Sequence, residues 1–493
     1  MQQKKKDDTR PNIIFIMSDD HAYQAISAYG DSLNSTPNLD LLAKEGMLFK
    51  RAFVNNSLCA PSRAAILTGK YSNMNGIKGN GDEVFDDSQE TFPKSLQQSG
   101  YQTAMIGKWH LVSNPTGFDF WNILPGQGDY YNPDFIDSTG KKHVEGYVTD
   151  LTTDKAINWL NSRDTSRPFC VLVWNKAPHR DWMPAPKYLH EYDSTEIPVP
   201  TTFFDDYSSR TRAAKEQKME IAKWLSPNYD LKENFNVQQP YGRLDANWRH
   251  IFGRLKPEEQ KAFIEAYAPK NDVFKKANLT GRELAIWKYE RYIKDYLRTI
   301  QSVDDNVGRL MSYLKDKRLD KNTIVIYTSD QGFYLGEHGW FDKRFMYEES
   351  FRTPLIVRWP AVIKPGGITN EMVMNLDIGE TLLDAAGVKI PDEMQGRSML
   401  PIWKGNVPED WRKYVYYHYY ESGGEHNVAK HVGVRSDRYK LIYYYENKDW
   451  ELYDLQKDPS ELNNVYNNPN YKNVEDTLKN ELQIQMKQFK DSI

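Results

Sequence analysis

Residues 12–21, NIIFIMSDDH, join a continuous apolar run to a polar end. The Ile-rich half is typical of a strand buried on both faces of a parallel sheet. Segments 101–106, 167–174 (RPFCVLVW) and 323–328 (TIVIYT) have the same form, and helical patterns separate them. We therefore predict an α/β fold, with a large, mostly parallel sheet sandwiched by helices.

Polar side chains follow each of these four strands directly. They are Asp19 and Asp20, Lys108 and His110, His179, and Asp330 and Gln331. Ligands of open α/β sheets bind beyond the carboxyl ends of the strands, so these groups are expected to form one site. Taken singly, each also has an ordinary interpretation, such as a solvated loop acid or a loop histidine bonded to a backbone carbonyl.

The chain is divided by changes in composition. Residues 1–10 form a polar tail, and 11–395 carry the predicted α/β domain. Within that domain, 187–282 are polar and irregular with short helical patterns, which predicts an insertion that shapes the rim of a pocket. Residues 396–493 are dense in Tyr and predict a smaller antiparallel sheet with a covering helix.

Composition excludes several classes of function. The chain has 493 residues, 64 basic and 68 acidic, for a formal net charge of −4, which gives no support for nucleic-acid binding. No apolar run approaches membrane-spanning length. Two cysteines cannot form a disulfide framework. The polar start, MQQKKKDDTR, contains no signal peptide, so we expect either a cytoplasmic protein or an exported one whose targeting segment is missing from this sequence.

One cysteine lies in an unusual setting, the segment 57–71, SLCAPSRAAILTGKY. Pro61 suits the first turn of a helix, so Cys59 would lie where free N–H groups and the helix dipole favour an anion. Arg63 adds a fixed positive charge suited to a tetrahedral oxyanion. The residues alone leave open a thiolate nucleophile or a small buried side chain.

The pattern C-A-P-S-R followed by L-T-G resembles the signature of the type I sulfatases, in the alkaline-phosphatase-like superfamily. The resemblance extends to G-K-W-H at 107–110 and to the closing E-L-Y-D-L and D-P-S-E-L-N-N motifs, so it covers nearly the whole chain. In that family the cysteine is oxidised to formylglycine, whose hydrate attacks sulfur. The resemblance therefore implies a sulfuric ester hydrolase, and a formylglycine-generating or anaerobic sulfatase-maturing enzyme as a partner.

The family's site maps onto matching positions of this chain. The implied catalytic residues are Cys59, Arg63, Lys108, His110, His179 and Lys343. The implied metal ligands are Asp19, Asp20, Asp330, Gln331 and the modified Cys59. Oxygen donors without imidazole suit Ca²⁺ or Mg²⁺ rather than Zn²⁺, and the resemblance favours a single calcium. In the implied mechanism Asp330 helps to activate the nucleophile, His179 protonates the leaving alcohol, and His110 then takes the proton whose loss expels sulfate.

The APHRDW loop and the run at 329–344 are similar to bacterial sulfatases that remove 6-O-sulfate from N-acetylglucosamine. We expect exo action on host glycans, such as glycosaminoglycan or mucin, by a periplasmic or otherwise exported protein. Residues expected to bind the sugar, each of which could equally be ordinary surface, are Arg180, His338, His418, Glu421, His426, His431 and Arg435.

Three alternatives stay open at this point. The sulfatase could act on another sugar position or on a small sulfate ester. A phosphodiesterase or phosphonate hydrolase would need several His ligands, but Gln331 stands where one would be expected. A non-enzymatic carbohydrate-binding protein would keep the fold without needing the charged set.

Overall fold

A computed structural model describes residues 10–30, 33–81 and 83–493. The predicted polar tail lies, except for its last residue, outside this range. Within it, no helix is long and apolar enough to cross a membrane.

Strands and helices are interspersed along the described chain. The strands are β1 (Asn12–Ser18), β2 (Met47–Phe53), β3 (Gln102–Lys108), β4 (Phe120–Leu124), β5 (Asp134–Asp137), β6 (Gly140–His143), β7 (Phe169–Trp174), β8 (Thr323–Ser329), β9 (Arg352–Arg358), β10 (Gly367–Thr369), β11 (Val373–Met374), β12 (Val415–Tyr419), β13 (His431–Arg435), β14 (Tyr439–Tyr444) and β15 (Asp449–Asp454). The α-helices are α1 (Pro37–Glu45), α2 (Cys59–Thr68), α3 (Ser72–Asn75), α4 (Phe92–Gln98), α5 (Val148–Ser162), α6 (Arg212–Glu216), α7 (Ile221–Trp224), α8 (Arg243–Gly253), α9 (Pro257–Ala277), α10 (Gly281–Asp316), α11 (Glu348–Phe351), α12 (Asp377–Ala385), α13 (Leu400–Trp403) and α14 (Lys472–Gln488).

The large sheet has the order β10-β2-β9-β8-β1-β7-β3-β4-β5-β6, with β11 beside β2. Its centre is parallel: β1 pairs with β7 on one side and β8 on the other, so that Ile14 lies opposite both Val171 and Val325. Antiparallel pairs join β9 to β8 and β2, and β5 to its neighbours. The prediction of a large, mostly parallel sheet is confirmed.

Both faces of this sheet are covered, which is why its central strands are apolar throughout. Ile13 and Phe15 pack on one side with residues of α2, α4 and α12, and Ile14 and Ile16 pack on the other with α5 and α10. The helical pattern at 282–314 forms α10, with 36 residues. The helices therefore sandwich the sheet as predicted.

The segment 187–282 contains more helix than its sequence pattern indicates. The run PEEQKAFIEAYA was predicted as one of several short helices, but it begins the 21-residue α9, which continues through Pro269. Only four of its side chains, including Phe263 and Tyr267, are buried. A single narrow apolar face explains why the rest of the segment looks irregular in sequence.

The smaller sheet has the predicted antiparallel order β12-β13-β14-β15, and α14 packs against it. It does not have a separate core. Trp340 and Tyr347, from the chain between β8 and β9, belong to the same buried cluster as Val415 and Tyr417 of β12. The two sheets therefore share apolar packing, and the domain division at residue 395 stays a prediction.

Candidate active site

The four polar groups after the central strands come together at one edge of the sheet. Because β3, β7, β1 and β8 are consecutive parallel neighbours, their carboxyl ends lie side by side. Asp20 has a left-handed backbone, φ 66°, and its N–H donates to Asp330 Oδ1 at 3.1 Å. The loop after β1 is thereby tied to the loop after β8.

Cys59 is the first residue of α2 and is completely buried beside this edge. Its Sγ donates to Asp19 Oδ1 at 3.1 Å and lies 3.5 Å from Lys343 Nζ. Burial raises the pKa of the Cys59 thiol, although Lys343 acts in the opposite direction. An unmodified Cys59 is therefore a poor thiolate nucleophile at neutral pH, which argues against the simplest interpretation of the sequence.

A cluster of oxygen donors lies next to Cys59. One carboxylate oxygen from each of Asp19, Asp20 and Asp330 lies within 4.8 Å of the others. Asp20 Oδ2 and Gln331 Oε1 are buried and accept no hydrogen bond within the described ranges. Crowded acids with unpartnered oxygens need a cation, and carboxylate and amide oxygens fit Ca²⁺ or Mg²⁺. The residues present thus fit a hard divalent cation.

Three buried basic side chains face these acids, although burial lowers the pKa of Lys108 well below its usual range. Arg63 donates to Asp330 Oδ2 from Nε (3.1 Å) and Nη2 (2.9 Å), Lys108 pairs with Asp19, and Lys343 pairs with Asp20. Burial raises the pKa of Asp20 to about 7, even with Lys343 opposing the shift, whereas Arg63 helps to hold the pKa of Asp330 low against its burial. An added divalent ion would give the centre a net positive charge, which suits an anionic substrate.

The two histidines face this centre from β3 and β7. Lys108 donates to Gln127 Oε1 at 2.5 Å, so the amide nitrogen of Gln127 faces His110 Nε2 at 3.1 Å. Nε2 of His110 is therefore the acceptor, as a base requires. His179 donates from Nδ1 to the Arg180 carbonyl at 2.8 Å, and its Nε2 lies 3.8 Å from Asp20 Oδ2.

Both histidines are held neutral. Burial, followed by the charge of Lys108, lowers the pKa of His110 and of His179 well below the usual value. A proton on His179 Nε2 therefore requires compensating negative charge, which a bound anion would bring. Gln127 was missed by the sequence analysis because it lies in a loop after β4 with no motif around it.

A cavity of about 320 Å³ opens against this centre. His179 and Lys343 form its inner end, and α8 of the insertion contributes Arg243, Asn247 and His250 to its outer wall. The insertion therefore lines part of the cavity, and its role as the rim stays a prediction. Other lining residues are Asn80, Gln127, Asp129, Lys176, Arg180, Asp181, Tyr229, Asp342, Arg344, Glu425 and His426.

Most of the predicted sugar-binding residues do not line this cavity, so their assignment stays a prediction. His338 is fully buried, with Nδ1 near Asp205 (3.1 Å), and His431 Nδ1 donates to the Ala429 carbonyl. The other two are also buried, His418 beside Asp491 and Arg435 beside Glu348. These polar side chains point inward among apolar and aromatic neighbours. Their spacing in the sequence does not reveal this.

Glu421 and Arg180 are closer to the cavity but already have protein partners. Glu421 accepts from the backbone N–H of Asn80 (2.6 Å) and from Arg344 (3.0 Å), so it braces two lining residues. Arg180 lines the cavity, yet its guanidinium donates to Asp230 and Glu425. The charged groups of both side chains are therefore already engaged in contacts within the protein.

A second group at the inner wall was missed. Asp342 accepts from Arg344 Nε at 3.0 Å and lies 3.3 Å from His426 Nε2. Burial opposes ionisation of Asp342, but His426 and Arg344 more than offset it and its pKa is lowered. Asp342 and Arg344 flank Lys343 in sequence, and this D-K-R run was the available indication.

The fold and this centre define a hydrolase of anionic esters, with fixed cations and hard metal ligands around a buried residue at a helix start. Comparison with known proteins identifies the family. Residues 11–388 match the sulfatase family model, and 336–488 match the model of the C-terminal part of N-sulphoglucosamine sulphohydrolase. The chain belongs to the sulfatase family and is a sulfuric ester hydrolase.

Individual relatives agree with this assignment. An N-acetylglucosamine-6-O-sulfatase of Bacteroides thetaiotaomicron is 48% identical over 99% of this chain and 88% of its own length. An N-acetylglucosamine-6-sulfatase of Capra hircus is 27% identical over 93% of this chain and 80% of its own. A solved structure of BT4656 with its substrate D-glucosamine-2-N,6-O-disulfate has a TM-score of 0.95 at 48% identity, covering 98% of each chain.

Proposed function

We propose that this sulfatase removes the 6-O-sulfate from N-acetylglucosamine at the ends of host glycans. The observation that carries the proposal is the cavity of about 320 Å³, whose inner end is formed by Lys343 and His179 next to Cys59. Such a cavity suits one sugar ring with its sulfate innermost, which favours exo action. The names of the 48% identical relative and of the BT4656 ligand support a 6-O-sulfated glucosamine.

The inner wall supports recognition of a sugar. Asp342 and Arg344 offer a carboxylate and a guanidinium on one side of the cavity, and Lys176 and Asp181 form a second buried pair, 3.1 Å apart, on its lining. Charged groups that are fixed by one another bind hydroxyls with defined geometry and lose little entropy in doing so.

The proposal also includes two groups that an unmodified, metal-free chain lacks, formylglycine and Ca²⁺. Formylglycine at position 59 would supply a hydrated aldehyde, whose hydroxyl is the nucleophile toward sulfur. Ca²⁺, held by Asp19, Asp20, Asp330 and Gln331, would supply positive charge for the sulfate oxygens. The unpartnered oxygens of Asp20 and Gln331 support this ligand set.

The remaining work falls to side chains of the chain itself. Arg63, Lys108 and Lys343 neutralise and orient the sulfate, and burial strengthens their effect. His179 donates a proton from Nε2 to the leaving sugar oxygen. His110, with its lone pair at Nε2, accepts the proton that is released when inorganic sulfate leaves.

The proposal includes a maturation partner and an exported location. A formylglycine-generating or anaerobic sulfatase-maturing enzyme would convert Cys59, and a bacterial periplasm or exterior would bring the protein to host glycans. Peptide mass analysis tests the first statement, and Cys170, equally buried in β7, is the internal control that should stay unmodified.

A panel of 6-O-, 3-O- and 2-O-sulfated sugars tests the substrate, with converted protein loaded with Ca²⁺. We expect sulfate release from 6-O-sulfated N-acetylglucosamine, and loss of that release after chelation with recovery on adding Ca²⁺. Cleavage of another position by converted protein would overturn the substrate assignment alone. An unmodified Cys59 in active protein would overturn the proposed nucleophile.

A further inference from the structure

The backbone that carries His179 is held in an unfavourable conformation. Asp181 and Trp182, just after it, have left-handed φ angles of 43° and 40°. Such positions cost on the order of 1–3 kcal/mol each for residues other than glycine, and persist only when their surroundings impose them. The ring of His179 depends on this segment, because its Nδ1 donates to the carbonyl of Arg180 at 2.8 Å.

The insertion supplies the contacts that impose this conformation. Asp230, fully buried, accepts from Arg180 Nε at 2.8 Å and Nη2 at 2.7 Å. Lys232 donates to the carbonyl of Asp181 at 3.2 Å and pairs with Asp295 of α10 at 2.9 Å. The segment after β7 is thus fixed to the insertion and, through Lys232, to the longest helix of the protein.

We infer that Asp230 and Lys232 are positioning residues for His179, so that the insertion serves proton transfer as well as shaping the rim. This inference rests on the proposed role of His179 as the acid for the leaving oxygen. A proton donor must lie within hydrogen-bond reach of that oxygen, and a misplacement of about 1 Å can cost roughly a hundredfold in rate. Asp230 and Lys232 do not contact the reacting atoms. They act through their contacts with Arg180 and Asp181.

The test compares two leaving groups. A sugar alkoxide needs a proton when it leaves, whereas 4-nitrophenolate does not. For Asp230→Asn we expect kcat on 6-O-sulfated N-acetylglucosamine to fall by about tenfold or more, with KM changed by less than about twofold. Activity on 4-nitrophenyl sulfate should change by less than about twofold.

A matched control separates positioning from general loss of an ion pair. Asp454 binds Arg438 in the same two-point manner, at 2.8 and 2.7 Å, but in the smaller sheet. Asp454→Asn should affect neither substrate. Asp230→Glu, which keeps the charge, should recover part of the lost kcat, and it provides the measurement if Asp230→Asn does not fold.

Equal losses on the two substrates, or no loss on the sugar, would overturn the inference. His179→Ala separates this failure from that of the proposed function: it should show the same selective loss, only larger. If His179→Ala loses both activities equally, the proposed acid is wrong and the inference fails with it. If the protein does not hydrolyse the aryl ester, crystal structures decide, because an unmoved His179 ring in Asp230→Asn would overturn the inference.

Discussion

The inner end of the cavity and its outer wall are built in different ways. The reacting centre behind the inner end comes from residues that directly follow neighbouring parallel strands, such as Asp19 after β1 and Asp330 after β8. The outer wall is assembled from helix α8 of the insertion and the chain near residue 425. Strand ends meet because of sheet topology, whereas the wall depends on long-range packing. We therefore expect the residues that follow the strands to carry out the chemical step, and the outer wall to select the sugar.

The strongest test of this division is Cys59→Ala at the inner end. Loss of the nucleophile should reduce kcat on every sulfate ester, on the order of 10⁵-fold, whatever sugar carries it. Cys170→Ala is the matched control, because Cys170 is equally buried but lies in the core of the sheet. It should leave kcat unchanged in the same assay. Residual turnover of a few per cent in Cys59→Ala would contradict the division.

On the cavity wall beside Lys343, Asp342→Asn should separate sugar recognition from chemistry. Loss of a charged hydrogen-bond acceptor corresponds to roughly a ten- to hundredfold fall in kcat/KM on the sugar sulfate. The fall on 4-nitrophenyl sulfate should be much smaller. Asp205→Asn is the control, since Asp205 also binds a histidine and an arginine, His338 and Arg210, but away from the cavity. Equal losses of kcat/KM on both substrates would indicate that Asp342 acts in the chemical step rather than in sugar recognition.

A smaller effect is expected at His431, a predicted sugar-binding residue that does not line the cavity. Burial lowers its pKa to about 3, so it is neutral at working pH, and its ring stacks on Tyr417 and Phe345. His431→Phe should keep that packing, change kcat/KM by less than about twofold, and cost about 1 kcal/mol of unfolding free energy for the lost hydrogen bond. A tenfold loss of kcat/KM on the sugar sulfate alone would indicate that His431 contributes to sugar binding.

The smallest effect on activity is expected at Glu380, which lies behind the site where α2 ends at Gly69. Burial, with Asp377 adding to it, raises the pKa of Glu380 from 4.5 to about 8. The folded state then keeps a proton that the unfolded state releases, so stability falls as pH rises between these values. Glu380→Gln should make the fall in melting temperature between about pH 5 and 8 less steep without changing kcat, because other buried acids with raised pKa values still titrate in this range. An unchanged slope of melting temperature against pH would show that Glu380 does not contribute to this pH dependence.

The sequence predicted the centre of the molecule well because local pattern and topology agree there. Continuous apolar runs such as NIIFIM mark strands covered on both faces, and whatever follows them must meet at one edge. The G-K-W-H motif brought Lys108 into the site for the same reason. No comparable rule connects a loop residue such as Gln127 with Lys108.

The places where the structure departs from the sequence pattern have a shared physical origin. His418 and His431 lie on strands of the smaller sheet whose two faces are both covered, so alternation did not indicate which side chains face solvent. The insertion was called irregular because α9 buries one narrow face. In each case the deciding partner lies far away in sequence, as Asp491 does for His418.

The complete burial of Cys59 also sets a time limit during synthesis. Lys343, whose Nζ lies 3.5 Å from Cys59 Sγ, leaves the ribosome 284 residues after Cys59. At about 5–20 residues per second, that delay is roughly 15 to 55 seconds. Under the proposed conversion to formylglycine, the maturing enzyme would have to reach Cys59 before the chain folds around it. A faster-translated message would shorten the interval, and thus lower the fraction of modified molecules without altering one amino acid.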